Sequence, residues 1–466
     1  MPKHLGKFCC LALQRRWLVH LARLTRSSRV FAPISFVPYN VPMAYPQGKI
    51  YRYLIGFLFS FCTDAHANFL TWSKTIDLAR TSNPLLLQKK ENVAAAEAGY
   101  RGSKSAYHPS LSAGLDASRS ATESNGSTAS SGSSGASLSL RYNLYKGGRD
   151  DLADREKQLR LRLLEVEMQR LKATLSYDLK KLFLKRLFTQ RKVRLAKEIK
   201  QRREGNRSLV RLQYEAGKEN RGSFLLASAS VEKANWDKET LEVELSISMN
   251  NLCDQLGKVE CSYTEVSESI ADLEVTVPEP ANYKDLAKES LGYREKELVW
   301  EIAAINLEAA RAVFFPQLDW SASFSQSGSA WFSGDKTWWT GLSLSIPLYS
   351  GGSDYYELMA KKSEVVGAEI ERDHWLAKTT TSLRSHFAAL KLASDKAKID
   401  LTYLEAARLR ATIARRKYNN GLISFEDWDT IENELISREQ NMHESEMNRL
   451  IAEADWQLAI GKGAIE

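Results

Sequence analysis

Tyr142-Asn143-Leu144-Tyr145-Lys146-Gly147-Gly148-Arg149-Asp150 returns about 204 positions later as Ile346-Pro347-Leu348-Tyr349-Ser350-Gly351-Gly352-Ser353-Asp354. The offset then holds along the chain. Tyr145 pairs with Tyr349, Gly147 with Gly351, Gly148 with Gly352, Tyr214 with Tyr418, Gly217 with Gly421 and Gly257 with Gly461. Solenoid repeats have periods of roughly 20–50 residues. A period this much longer points to one structural unit duplicated and fused, whose content should give the function.

Upstream of each Gly-Gly the pattern has period two. Leu111, Ala113, Leu115 and Ala117 alternate with small polar residues, as do Leu138, Leu140, Tyr142 and Leu144. The second copy gives Leu318, Trp320, Ala322 and Phe324, then Leu342, Leu344, Ile346 and Leu348. These are four strands of about nine to eleven residues, the length that crosses a bilayer when tilted. The polar face is mostly Ser, Asn, Gln and Asp, suited to a wet lumen. Trp331, Phe332, Trp338 and Trp339 form an aromatic rim of the kind found at a membrane interface. A soluble sandwich would also alternate, but it explains neither the serine face nor the rim. Glu123–Gly135 reads as a flexible low-complexity loop between strands, with 328–336 as its shorter partner.

The flanks are helical. Asn83-Pro84 is an N-cap followed by a first-turn proline, and helices over about 83–107 and 293–315 end at Pro109 and Pro316. After each Gly-Gly, 149–214 and 353–418 contain no proline. About 65 residues make roughly 100 Å of helix, the scale of a coiled coil or tunnel wall. Gly217 and Gly421 follow as C-cap signals, and a returning helix runs to about Leu256 and Ile460. The Gly-Gly pairs read as structural turns from strand to helix.

The expected organisation is 1–67 as upstream extension and signal peptide, 68–257 as first unit, 258–284 as linker and 285–466 as second unit. Residues 1–67 carry nine of the 65 basic residues and one of the 57 acids. That accounts for the whole net charge of +8, so the body has no global basic footprint for nucleic acid. Lys49 and Arg52, the apolar run 55–61 and Ala65-His66-Ala67 read as a secretory signal starting at Met43. Phe61 before Cys62 does not suit lipid attachment. An exported chain would meet oxidising conditions, and Cys253 and Cys261 either pair or stay as separate thiols.

Four strands cannot close in lipid, because open edges leave backbone groups unsatisfied. The chain must therefore oligomerise; a dimer gives eight strands and a trimer twelve. With its duplicated helix–strand–strand–helix units, Leu-Tyr-x-Gly-Gly turns and Tyr-x-x-Gly reversals, the chain resembles the TolC-type outer membrane efflux proteins over roughly 73–463. The resemblance implies an α+β membrane protein: a homotrimer with a twelve-stranded barrel in the outer membrane lipid and a long helical tunnel in the periplasm. It also implies a periplasmic adaptor, an inner-membrane transporter, export of small molecules or proteins, no cofactor and no catalysis. Tyr418 matches the family's gating tyrosine and Asp427 a constriction aspartate. A second aspartate position falls on Thr430, with Asp429 an imperfect substitute, and the arginine position is Ile423. In the first reversal the acidic position falls on Ser223.

The residues themselves support an acidic constriction. Glu426, Asp427 and Asp429 near a three-fold axis would attract cations and repel anions, although acids are also common at helix starts. This acidic cluster follows Gly421 and not Gly217, so only the second arm reads as equipped to gate. His108, His374, His386 and His443 show no metal spacing, and no nucleotide or nucleophile motif is present. The competing reading is a periplasmic coiled-coil adaptor or a structural interaction protein without a pore.

Overall fold

The computed structural model describes residues 69–124, 127–258, 263–267, 282–331 and 333–465. The expected signal segment, Cys261 and Phe332 lie outside them. The described residues fall in one unit by contact, Ala65–Glu466.

In chain order the elements are β1 (Phe69–Leu70), α1 (Trp72–Ser82), α2 (Pro84–Ser103), β2 (Ser110–Ser124), β3 (Ser127–Tyr145), α3 (Arg149–Glu215) and α4 (Arg221–Gln255). There follow β4 (Glu265–Val266), α5 (Tyr283–Glu289), α6 (Leu291–Ala312), β5 (Gln317–Gly328), β6 (Asp335–Ser345), α7 (Ser353–Asn419) and α8 (Phe425–Ala459). Both α3 and α7 have 67 residues, and both α4 and α8 have 35. Asn83 caps α2 by accepting from the Leu86 N–H at 3.0 Å. The short helices α1 and α5 have weak sequence signals and were absent from the expected elements.

The Gly-Gly pairs form tight turns. Gly147 and Gly148 have φ of 66° and 78°, Gly351 and Gly352 of 70° and 89°. The Arg149 and Ser353 N–H groups close back on Lys146 and Ser350 carbonyls at 3.2 and 3.4 Å. Two consecutive positive φ values define a type I′ turn, which glycine alone adopts without strain.

Strands β2-β3-β5-β6 form one antiparallel sheet in that order. Its register lines Ala113, Leu138, Phe324 and Trp338 across one face, and Ser112, Ser139 and Ser323 across the other. Of the aromatic-rim residues, Trp338 pairs with Phe324 on the apolar face and Trp339 with Ser323 on the serine face. The apolar face is not covered within the chain: Leu111, Leu115, Trp338 and Leu342 are all exposed.

Two expectations need correcting. Residues 123–124 and 127–135 are strand, not loop. β2 and β3 continue their ladder to Ser124–Ser127, because the backbone bonds of an antiparallel pair do not depend on side-chain size. At the other end β6 stops at Ser345, short of Ile346 and Leu348, where Pro347 cannot donate to a ladder.

Helix α3 packs along α4, and α7 along α8. The main apolar core lies partway down these helices, where Leu70, Ile76, Leu179, Phe183, Leu187 and Leu252 are buried together. The two-residue parallel pair β1–β4 caps this core. Buried Arg186 donates to the carbonyls of Leu245 and Thr264, tying α3 to α4 and to the segment before β4. Cys253 is disulfide-bonded.

A candidate gate at the helical reversals

Both long helices end in the same way. The Gly217 N–H bonds the Tyr214 carbonyl and the Lys218 N–H the Gln213 carbonyl; Gly421 and Leu422 repeat this on Tyr418 and Lys417. These are Schellman caps, with φ of 70° and 71° at the two glycines. Three residues later each returning helix is capped again. Asn220 accepts from the Ser223 N–H at 2.9 Å and Ser424 from the Asp427 N–H at 3.1 Å.

An aromatic pair braces each reversal. Tyr214 stacks on Phe224 at 5.9 Å, and Tyr418 on Trp428 at 4.4 Å. The surroundings differ. Tyr214 is exposed, whereas Tyr418 is buried with Val210, Ala227, Ala414, Phe425 and Trp428. Residues of all four long helices meet in that cluster, so the tip is a small apolar core joining both arms.

The structure separates the candidate residues. Tyr418 donates its phenol to the Glu219 carboxylate at 3.2 Å. Burial, reinforced by that carboxylate, pushes its pKa well above the usual tyrosine value. Asp427 accepts from the hydroxyl of Ser424, the residue that caps its own backbone N–H, at 2.8 Å. It also edges an apolar groove of about 390 Å³ lined by Leu409, Ile413, Ile423 and Ile431. Glu426 is exposed at the first turn of α8.

Asp429 does not join Glu426 and Asp427 on an open acidic surface. It accepts from Arg203 of α3 at 2.8 Å and from Asn433 at 2.8 Å, with Arg203 almost fully buried. A buried guanidinium needs its counter-charge, so this carboxylate is held in the seam between α3 and α8. The first reversal also supplies an acid the sequence reading passed over: Glu219, two residues after Gly217, reaches the second arm. Trp428 and Arg203 went unnoticed as well. Trp428 lies ten residues after Tyr418, as Phe224 does after Tyr214, which is the one signal that could have found the stacked pair. Among the described residues no cluster of His, Cys, Asp and Glu is arranged for a metal ion. No described helix is long and apolar enough to cross a membrane.

Two long helical hairpins, joined at their tips and standing on a sheet with its apolar face bare, define the channel-tunnel class of fold. The outer membrane efflux protein family profile matches residues 75–258 and 294–462, and the chain belongs to that family. It is an outer membrane protein with its helical part in the periplasm. A probable outer membrane lipoprotein, SilC of Salmonella typhimurium, is 20% identical over 278 residues, which are 59% of this chain and 60% of SilC. A probable efflux pump outer membrane protein, TtgC of Pseudomonas putida, is 24% identical over 193 residues, 39% of this chain and 38% of TtgC. The match thus spans less than two thirds of either relative. The crystal structure of CusC, described in terms of transmembrane channel formation, superposes with a TM-score of 0.77 at 19% identity, over 85% of this chain and 94% of CusC.

Proposed function

We propose that the chain is one third of an outer membrane channel-tunnel that exports small molecules or proteins, working with a periplasmic adaptor and an inner-membrane transporter. The observation that carries this reading is the four-stranded sheet. Among the described residues its edge strands β2 and β6 have no outer partner, and its apolar face is bare. In lipid such edges must be paired, and pairing β2 of one copy with β6 of the next closes a barrel. Three copies give about twelve strands, enough to leave a lumen where about eight would be filled by side chains. The serine face then lines the pore.

The helices support the same assembly. Trp236, Val243 and Ile247 of α4 and Leu392, Ile399 and Ile413 of α7 are exposed apolar residues at helical spacing, suited to contacts between copies. The matched element lengths and the offset of the positive-φ glycines support duplication of one unit. In the trimer that gives pseudo-sixfold symmetry, with unit limits 68–257 and 285–466. Tyr418, Glu426 and Asp427 are proposed as the constriction, and Asp429 acts on it only through Arg203. Family membership disfavours the pore-less adaptor reading and an enzyme alike.

Membrane fractionation and planar-bilayer recording test the proposal. Outer membrane recovery, a detergent-stable trimer and discrete conductance steps are expected. A soluble periplasmic monomer without conductance would overturn it.

A further inference from the structure

The seam between α3 and α8 is built from ion pairs with an unusual spacing. On α8 the acids Glu432, Glu439, Glu446 and Glu453 recur every seven residues; on α3 the cations Lys180, Arg191 and Arg202 recur every eleven. Twenty-one residues of α8 and twenty-two of α3 cover nearly the same length, about 32–33 Å. Three cations therefore face four acids. Lys180 pairs with Glu453 at 3.3 Å, Arg191 with Glu446 at 3.1 Å, and Arg202 binds Glu439 through two nitrogens at 3.0 and 2.6 Å. Toward the tip, Arg202 Nε and Glu432 Oε1 stand 3.3 Å apart without a hydrogen bond.

His443 sits on this same stripe, four residues after Glu439 and three before Glu446. Its Nδ1 is buried and has no hydrogen-bond partner. We propose that His443 is an acid-sensitive latch between the two arms: protonation of its imidazole releases α8, and with it the second reversal, from α3.

A neutral ring tolerates this gap, and a charged one does not. Burial is the largest effect acting on it and disfavours the charged form. From α3, Arg191 and Lys192 oppose a further positive charge. From its own helix Glu446 and Glu439 favour it, but Arg191 and Arg202 already engage both. The charges that act most on the ring thus come from α3 and α8 themselves. The joined arms therefore hold the His443 pKa below its usual value, which the ring regains when the arms part and water reaches it. The joined state is fully favoured above the ordinary histidine range and loses that advantage as the pH falls through it. Histidine is the side chain type whose ordinary range falls between about pH 5 and 8, so mild acid acts on this rung first.

The test uses the full chain in detergent, with spin labels on Leu212→Cys and Leu422→Cys, exposed positions at the two tips. Distance distributions are measured at about pH 7.5 and about pH 5.5. The protein with native His443 should gain a separated population at the lower pH. A one-unit pKa difference between the two states shifts the equilibrium by up to about tenfold. His443→Gln and His443→Met, both uncharged and read side by side in case one misfolds, should keep one distribution at both pH values. An unchanged distribution with native His443, or the same acid shift in a folded variant, would overturn the proposal. No transport is measured, so the outcome is independent of the channel reading.

Discussion

Tyr418, in the last turn of α7, donates a hydrogen bond across the tip to Glu219, which lies between α3 and α4, at 3.2 Å. The second reversal is thus held by the first, and the bond lies in a buried aromatic setting where its replacement by water is hindered. Tyr418→Phe keeps the stack on Trp428 and loses only this bond. A hydrogen bond to a charged partner contributes roughly 1.5–3 kcal/mol, and Glu219 is partly solvated, so the lower end is expected. Planar-bilayer recordings should show a larger mean conductance or more frequent opening for Tyr418→Phe and for Glu219→Gln. Unchanged traces from both would remove the bond from the gate.

The Arg203–Asp429 pair predicts a non-additive response. Asp429→Ala leaves a guanidinium almost fully buried with only Asn433 to accept from it. Breaking a buried pair from one side costs roughly 3–5 kcal/mol. The double variant Arg203→Met/Asp429→Leu replaces charge by apolar volume and should recover most of that loss. Thermal melts of the single and double variants, followed by circular dichroism, check this. A double variant as unstable as Asp429→Ala would contradict it.

Alkaline pH reports on the same tip. The Tyr418 pKa is raised, chiefly by burial and then by Glu219, so folding favours its neutral form. That contribution is complete below the unfolded tyrosine value of about 10 and is lost as the pH climbs toward the folded value. Tyr177, pushed up to about 12 by burial and its bond to Asp455, behaves likewise and provides an internal comparison. Denaturant midpoints of the native sequence should fall between about pH 10 and 12. Tyr418→Phe should reduce that slope by up to one proton's worth, about 1.4 kcal/mol per pH unit. An identical slope in the variant would place Tyr418 in solvent.

The extent of the helices was legible because proline and glycine punctuate them. Pro84, Gly148, Gly217, Gly352 and Gly421 each fall within a residue or two of an element boundary. The strands were legible where large apolar residues alternate and illegible through 123–135. There serine and glycine carry no amphipathic signal, yet the backbone ladder continues. Tyr418 was reachable because the reversal repeats, and Asp427 only through the family resemblance, since its counterpart in the first reversal is Ser223. The role of Asp429 was not. Its partner Arg203 lies 226 positions away, and no local pattern announces a contact that exists only once α3 and α8 pack. Glu219 was hidden for the same reason.

The two Gly-Gly turns should differ in tolerance despite matching in sequence. Alanine at either first glycine is strained by the positive φ, costing at least about 1 kcal/mol. At Gly147 the added Cβ would also stand 2.7 Å from Phe315 Cβ and 2.9 Å from the Ala312 carbonyl oxygen, whereas at Gly351 it meets open space. Gly147→Ala should therefore lower thermal stability clearly more than Gly351→Ala. Equal losses would mean that backbone strain alone governs both turns.

Asp427 offers the sharpest test of ion passage, because its carboxylate has two separable tasks. It accepts from Ser424 in the cap of α8, and it leaves charge at the edge of the apolar groove beside Ile423. Asp427→Asn keeps the acceptor and removes the charge; Asp427→Ala removes both. If the charge sets selectivity, both variants should weaken cation preference in reversal-potential measurements under a salt gradient, by similar amounts. Asp427→Ala alone should also lose the bond from the Ser424 hydroxyl, roughly 0.5–1.5 kcal/mol, while the Ser424 cap on the backbone N–H of position 427 remains. Cation preference intact in Asp427→Asn would limit Asp427 to its bond with Ser424 and remove its charge from the constriction.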